Sequence, residues 1–158
     1  MKKDAVLSEC RQYRYSLSRI WDEKKPLIGF IALNPSTADH VEDDRTISRC
    51  INFSKLWGFG GFYMMNLFAY RATNPSDMMQ SDSPIGSENN KYILELKNKV
   101  EKVVVCWGDS GCHNGRSKEV LNLLNQDDLY CITINKSGEP KHPLYIKGDK
   151  QLIPYKKL

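Results

Sequence analysis

Residues 27–33, Leu-Ile-Gly-Phe-Ile-Ala-Leu, form an apolar run that stops abruptly at Asn34-Pro35-Ser36-Thr37. A short run that is apolar at nearly every position suits a strand buried on both faces, as in a parallel sheet. Proline has no N–H to give a ladder, so Pro35 closes the strand. The pattern recurs downstream: residues 61–68 end in Asn66-Leu67-Phe68, and residues 102–107 are halted by Gly108. Residues 129–134 form a further strand.

Helical spacing fills the intervals between these runs. Asp43-Asp44-Arg45-Thr46 opens a helix whose acidic residues suit its positive N-terminal end. Ile47, Cys50, Ile51, Ser54 and Leu56 give its spacing, and Gly58 fits its stop. Asn74-Pro75 reads as a cap followed by proline at the first helical position, starting a short helix. Residues 87–100 predict a longer helix with Tyr92, Ile93, Leu96 and Val100 on one face. Residues 116–125 predict another, carrying Val120, Leu121, Leu123 and Leu124.

Strands alternating with helices after residue 27 predict a three-layer α/β/α fold with a central, mostly parallel, four-stranded sheet. Partial alternation over residues 12–21 predicts one more strand. The turn Asp22-Glu23-Lys24-Lys25-Pro26 then makes residues 12–33 a β-hairpin, which adds an N-terminal antiparallel edge strand.

The 158 residues fit a single α/β domain spanning 1–158 and suffice for a real core. No apolar run reaches the length of a membrane span, and the N-terminus lacks the apolar centre of a signal peptide, so a cytoplasmic protein without a membrane partner is expected. The five cysteines are an odd number, and Cys50, Cys106 and Cys131 lie in apolar runs, which reads as buried thiols. Cys106, Cys112 and His113 do not have a usual zinc spacing, and no second cysteine pair completes one. Cys112 is the more exposed thiol, but a nucleophile and base at adjacent positions rarely orient each other. Neither a phosphate-loop signature nor a dinucleotide fingerprint occurs. No metal and no cofactor is expected.

The net charge of +4 permits nucleic-acid binding without demanding it. Lys136, Lys141, Lys147, Lys150, Lys156 and Lys157 in the tail fit a solvated surface equally well.

If the sheet is parallel, its strand endings share one edge, where ligands of open α/β sheets sit. That edge then gathers Asn34-Pro35-Ser36, Asn66-Leu67-Phe68 and Trp107-Gly108-Asp109. The fourth strand leads through a glycine-containing turn to His142-Pro143. Each residue also has an ordinary explanation. Asn34 can cap or turn, Asn66 can serve buried backbone, Trp107 can be core, and His142 can be a loop residue. Their repetition at successive strand ends favours a site.

These residues carry a resemblance. Leu33-Asn34-Pro35-Ser36-Thr37-Ala38-Asp39, Asp43-Asp44-Arg45-Thr46, Asn66-Leu67-Phe68-Ala69-Tyr70-Arg71, Trp107-Gly108 and His142-Pro143-Leu144 resemble the bacterial and phage family called domain of unknown function 1643. The match covers roughly residues 10–155 and brings no established activity.

More distantly, Ala32-Leu33-Asn34-Pro35 is similar to the Gly-Leu-Asn-Pro of the mismatch-specific branch of uracil-DNA glycosylase-like proteins. Asn66, Trp107-Gly108 and His142-Pro143 follow in the order those proteins show. The resemblance implies their fold, a four-stranded parallel sheet with helices on both faces. It also implies catalytic roles for Asn34, which would position water, and His142, which would stabilise the departing base. Base or ligand contacts would come from Pro35, Ser36, Thr37, Asn66, Phe68, Tyr70, Trp107 and Gly108. Phosphate contacts would come from Arg45 and Arg71. The closing loop continues Leu144-Tyr145 where those enzymes carry Ser-Pro.

The expected function is therefore nucleobase recognition with hydrolysis of an N-glycosidic bond, the partner being DNA or a nucleotide-like small molecule. The alternatives are a non-catalytic nucleic-acid or nucleotide-binding module, and a hydrolase or transferase acting on a nucleotide-like metabolite.

Overall fold

A computed structural model describes residues 1–125 and 128–156 of the chain. The strands are β1 (Lys2–Leu7), β2 (Arg14–Ile20), β3 (Leu27–Ala32), β4 (Gly61–Asn66), β5 (Lys102–Val105), β6 (Leu129–Cys131) and β7 (Ile153–Pro154). The α-helices are α1 (Arg45–Leu56), α2 (Pro75–Met79), α3 (Asn89–Lys99) and α4 (Arg116–Leu123). Two 3-10 segments follow β5 and β6, at Asp109–Gly115 and Pro143–Tyr145.

The fold is α/β, built on one mixed seven-stranded sheet in the order β1-β2-β4-β3-β5-β6-β7. The pairs β4–β3, β3–β5 and β5–β6 are parallel. The pairs β1–β2, β2–β4 and β6–β7 are antiparallel.

The parallel strands divide their apolar residues between two clusters, as strand alternation requires. Ile28, Phe30, Phe62, Met64 and Val104 pack with Ile47, Cys50 and Ile51 of α1. Ile31, Met65, Val103 and Val105 pack with Ile93 and Leu96 of α3 and Val120 and Leu121 of α4. Cys50, Cys106 and Cys131 are buried free thiols within this core. Among the described residues no helix is long and apolar enough to cross a membrane.

Helix starts follow local chemistry. Asp44 caps α1 by accepting the Ile47 N–H at 2.9 Å, and Asn74 caps α2 by accepting from Ser76. Past the end of α1, Gly58 takes a φ of +84°, the left-handed conformation that closes a helix at little cost to glycine.

The expected hairpin over residues 12–33 does not form. β2 does not pair with β3. It lies between β1 and β4, and β4 separates it from β3. The N-terminal edge is therefore β1, which the sequence pattern does not announce: most of its residues are exposed, and its charged and apolar residues are grouped in two blocks without alternating. β2 is an inner strand, and Arg14, Ser16 and Ser18 on it are all buried. Strands β4, β5 and β6 end at 66, 105 and 131, short of the expected 68, 107 and 134. Lys157 lies outside the described residues.

Candidate functional site

The ends of the parallel strands frame a cleft of about 650 Å³. Leu33, Asn34 and Ser36 border it from the end of β3, Trp107, Gly108 and Asp109 from the end of β5, and Lys141, His142, Leu144 and Tyr145 from the segment after β6. Thr46 borders it from the first turn of α1. Cavities of this size suit small organic ligands, which occupy roughly 300–1,000 Å³.

His142 reaches the cleft through a short antiparallel return. Ile134 and Pro140 bridge, Gly138 turns with a φ of +90°, and the Lys141 N–H donates to the Thr133 carbonyl at 2.8 Å. The Gly108 N–H then donates to the Pro140 carbonyl at 2.7 Å, which sets the return against the end of β5. Asp109 reinforces this seam by accepting from Ser137 Oγ at 2.6 Å and Asn135 Nδ2 at 3.0 Å. These hydrogen bonds hold its carboxyl below the usual carboxylate range.

Asn34 is half-buried. Its Nδ2 donates to the backbone carbonyls of Ala72 at 2.9 Å and Pro35 at 3.2 Å. Those bonds commit the amide nitrogen and leave Oδ1 as the acceptor that Asn34 can offer a ligand or a water. Ser36 Oγ donates to Thr73 Oγ1 at 3.4 Å.

His142 is the electrostatic feature of the cleft. Burial lowers its pKa to about 4, and the attraction of Asp44 opposes this only in part. It is therefore a neutral imidazole at neutral pH. Its Nδ1 accepts the Leu144 N–H at 3.3 Å, which assigns the ring proton to Nε2. A neutral imidazole with Nε2–H is a hydrogen-bond donor without a charge.

Trp107 is buried, and its indole N–H donates to the buried carboxylate of Glu139. A Cβ added to Gly111 would lie 2.1 Å from Trp107 Cδ1, so only glycine permits this approach of backbone to indole. Trp107 thus forms a fixed wall of the cleft.

Asn66 stands at the end of β4, 2 % exposed, below the cleft. Asn89 holds that strand end by donating from Nδ2 to the carbonyls of Asn66 at 2.8 Å and Leu67 at 3.0 Å. Arg116 Nε donates to the Leu67 carbonyl at 2.8 Å.

The candidates therefore separate. Asn34, Ser36, Trp107, Gly108 and His142 share the cleft, while Pro35 and Asn66 border a small recess that adjoins it. Thr37 and Arg45 lie on a neighbouring depression with Arg49 and Asp43. Phe68 is wholly buried in the core against His113 and is not a cleft residue. Tyr70 packs edge-on against Tyr13, away from the cleft. Arg71 is spent on backbone: Nε donates to Ser36 at 3.3 Å, Nη2 to Thr37 at 3.3 Å and Nη1 to Arg11 at 3.2 Å. It shapes the loop after β3.

Three contributors have no clear signal in the sequence. Thr46 looks like an ordinary first-turn residue. Tyr145 lies on the cleft rim, 73 % exposed. Arg14 is buried in β2, where burial lowers its pKa to about 10, and its Nη1 donates to the Ala38 carbonyl at 2.9 Å. A second, larger groove is lined by Tyr13, Tyr15 and Tyr92 and contains no residue singled out from the sequence as a site candidate. Among the described residues no cluster of three His, Cys, Asp or Glu side chains is arranged to hold a metal ion.

The fold is α/β, and its cleft, lined by both polar and apolar side chains, lies beyond the carboxyl ends of the parallel strands. The chain belongs to the family described as protein of unknown function DUF1643, whose model matches residues 14–144. No curated protein matches it significantly, and neither does any solved structure.

Proposed function

We propose that the cleft takes up a nucleobase and that the protein hydrolyses an N-glycosidic bond in DNA. The observation that carries this reading is that Asn34 and a neutral, Nε2-protonated His142 line the same cavity. The glycosylase-like order of Asn34-Pro35, Asn66, Trp107-Gly108 and His142-Pro143 supports it. In this reading the two helix-covered faces and the parallel strands form the glycosylase-like three-layer arrangement.

Breaking the bond leaves positive charge on the sugar and negative charge on the departing base. The Nε2–H of His142 donates to the base as that charge develops. Asn34 Oδ1 accepts a hydrogen bond from the attacking water and orients it. An amide cannot take the water's proton, so turnover is slow or confined to good leaving groups. Trp107 walls the pocket, and Tyr145 on the rim stacks on the base or its neighbour. Lys136 and Lys141 at the mouth meet phosphate. A duplex substrate must flip its base to enter.

The absence of a general base in Asn34 favours one second reading, a binding module for a nucleotide or nucleotide-like metabolite that keeps the pocket without turnover. Labelled single- and double-stranded oligonucleotides containing uracil, hypoxanthine, thymine mismatches or modified bases separate the two. Strand breakage in alkali, lost in both Asn34→Ala and His142→Ala, is the expected result. Salt-sensitive binding without breakage moves the conclusion to the binding module.

A further inference from the structure

Below the cleft lies a recess of about 30 Å³, room for about one water-sized group. Asn34, Ser36, Thr46 and His142 border both spaces. The recess is also bordered by Arg14 from β2 and Asn66 from the end of β4, each 2 % exposed. Both carry a buried donor with no partner among the described residues: Nε of Arg14 and Nδ2 of Asn66.

Two of the acceptor-bearing residues that border the recess, Asp44 and His142, are already engaged. Asp44 Oδ1 accepts from Ile47 at 2.9 Å and Oδ2 from Ala38 at 3.4 Å. His142 Nδ1 accepts from Leu144. Neither residue answers the two unpartnered donors, Arg14 Nε and Asn66 Nδ2. A buried donor without an acceptor is costly, and a cationic one more so.

We propose that this recess receives one oxygen atom, of a carbonyl or a carboxylate, from a ligand seated in the cleft above it. Arg14 Nε and Asn66 Nδ2 donate to that oxygen. A ligand presenting an amino group or a methyl at the same point leaves both donors unpaired and is rejected. Arg14 becomes a specificity-determining residue that reaches the ligand from an inner strand of the sheet. The inference rests on the preceding reading only in taking the cleft as the ligand's seat.

Arginine labelled with ¹⁵N at Nε reports the contact directly in the intact protein. Arg14→Lys identifies the Arg14 resonance, and the displacement that Asn66→Asp causes identifies it independently. Sodium formate supplies the carboxylate and uracil the carbonyl, with sodium chloride at equal ionic strength as the control. The expected result is a saturable shift of the Arg14 Nε–H with formate, uracil or both, and none with chloride. Asn66→Asp places an acceptor beside Arg14 from within the chain, so it should weaken that binding at least about tenfold.

An Arg14 resonance unmoved by either probe, showing exchange contact with water alone, overturns the proposal and makes the recess a structural water site. A shift with formate or uracil but no oligonucleotide cleavage keeps the recess and ends the glycosylase reading. Cleavage with an unmoved resonance does the reverse.

Discussion

The side-chain amide of Asn34 donates to the backbone carbonyl of Ala72 at 2.9 Å, which ties the end of β3 to the segment that follows β4. The same residue that faces the cleft therefore also fixes its shape. Asn34→Ala should lower stability by about 1 kcal/mol, the net worth of a partly buried hydrogen bond. Asn34→Asp should cost more, about 1–3 kcal/mol at pH 7, because a carboxylate oxygen then opposes the carbonyls of Ala72 and Pro35. Protonating that carboxyl restores a donor, so the gap from wild type should narrow near pH 4. Urea unfolding of the three proteins at both pH values checks the order.

His142 makes a separate pH signature. Its pKa falls from 6.5 to about 4 on folding, chiefly through burial. Between those values the unfolded chain binds a proton that the folded chain does not. Stability from this residue is thus complete above about pH 6.5, falls as pH drops and levels out below about pH 4, with a total loss of up to about 3 kcal/mol. The carboxyls of Asp39, Asp43 and Asp109 are held below their ordinary value of 3.8, so their contributions are lost only at lower pH. Unfolding free energies from pH 4 to 7 should show the slope in wild type and lose most of it in His142→Asn.

Tyr145 offers a test of binding that leaves the core alone. Being 73 % exposed, it contributes little to packing. Tyr145→Ala should change stability by no more than about 0.5 kcal/mol. Stacking on a base is worth about 1–3 kcal/mol, so the same change should weaken single-strand oligonucleotide binding by about 5- to 150-fold. Tyr145→Phe should retain most of it. Fluorescence anisotropy and thermal melts read the two effects separately.

Arg71 and the cleft lysines should part company in salt titrations. Arg71 already donates to three backbone carbonyls, so Arg71→Ala should destabilise the loop after β3. It should leave the salt dependence of DNA binding unchanged. Lys136→Ala and Lys141→Ala should each reduce the slope of log K against log salt by about 1.

Most of the fold was legible because its signals are local. The apolar runs, the Asp44 and Asn74 caps and Gly58 each act within a few residues of themselves. The placement of β2 was not. A turn at residues 22–26 favours a hairpin, but Gly61 to Met64 of β4 take the inner edge of β2 instead. Alternation of Tyr13, Tyr15 and Leu17 with Arg14, Ser16 and Ser18 resembles a strand with a wet side. The strand instead buries charge under residues 38–44, which Arg14 holds through Ala38 and Arg19 through Asp39, Glu42 and Asp43. No periodicity announces a loop laid over a strand, so Arg14 was invisible as a site residue.

At the site itself, strand-end polar residues were readable and side-chain destinations were not. Asn34 and Trp107 share an edge because parallel strands end together, and the antiparallel return after β6 brings His142 to them. Phe68 and Tyr70 follow the same strand end, yet one turns into the core and the other toward Tyr13. Tyr145 escaped notice because its exposure depends on the return over residues 133–141, a tertiary feature.

The strand order also dictates when the chain is vulnerable. During synthesis β1 and β2, which pair in the finished sheet, emerge first. β3 follows, almost wholly apolar, but both its partners, β4 and β5, lie later in the sequence. From the emergence of Ala32 until that of Val105, a nascent chain holds a hydrophobic strand with at least one open edge, the condition that invites pairing with other chains. Yield in the cell should therefore follow the pace of translation across residues 33–105 more closely than it follows the stability of the finished fold.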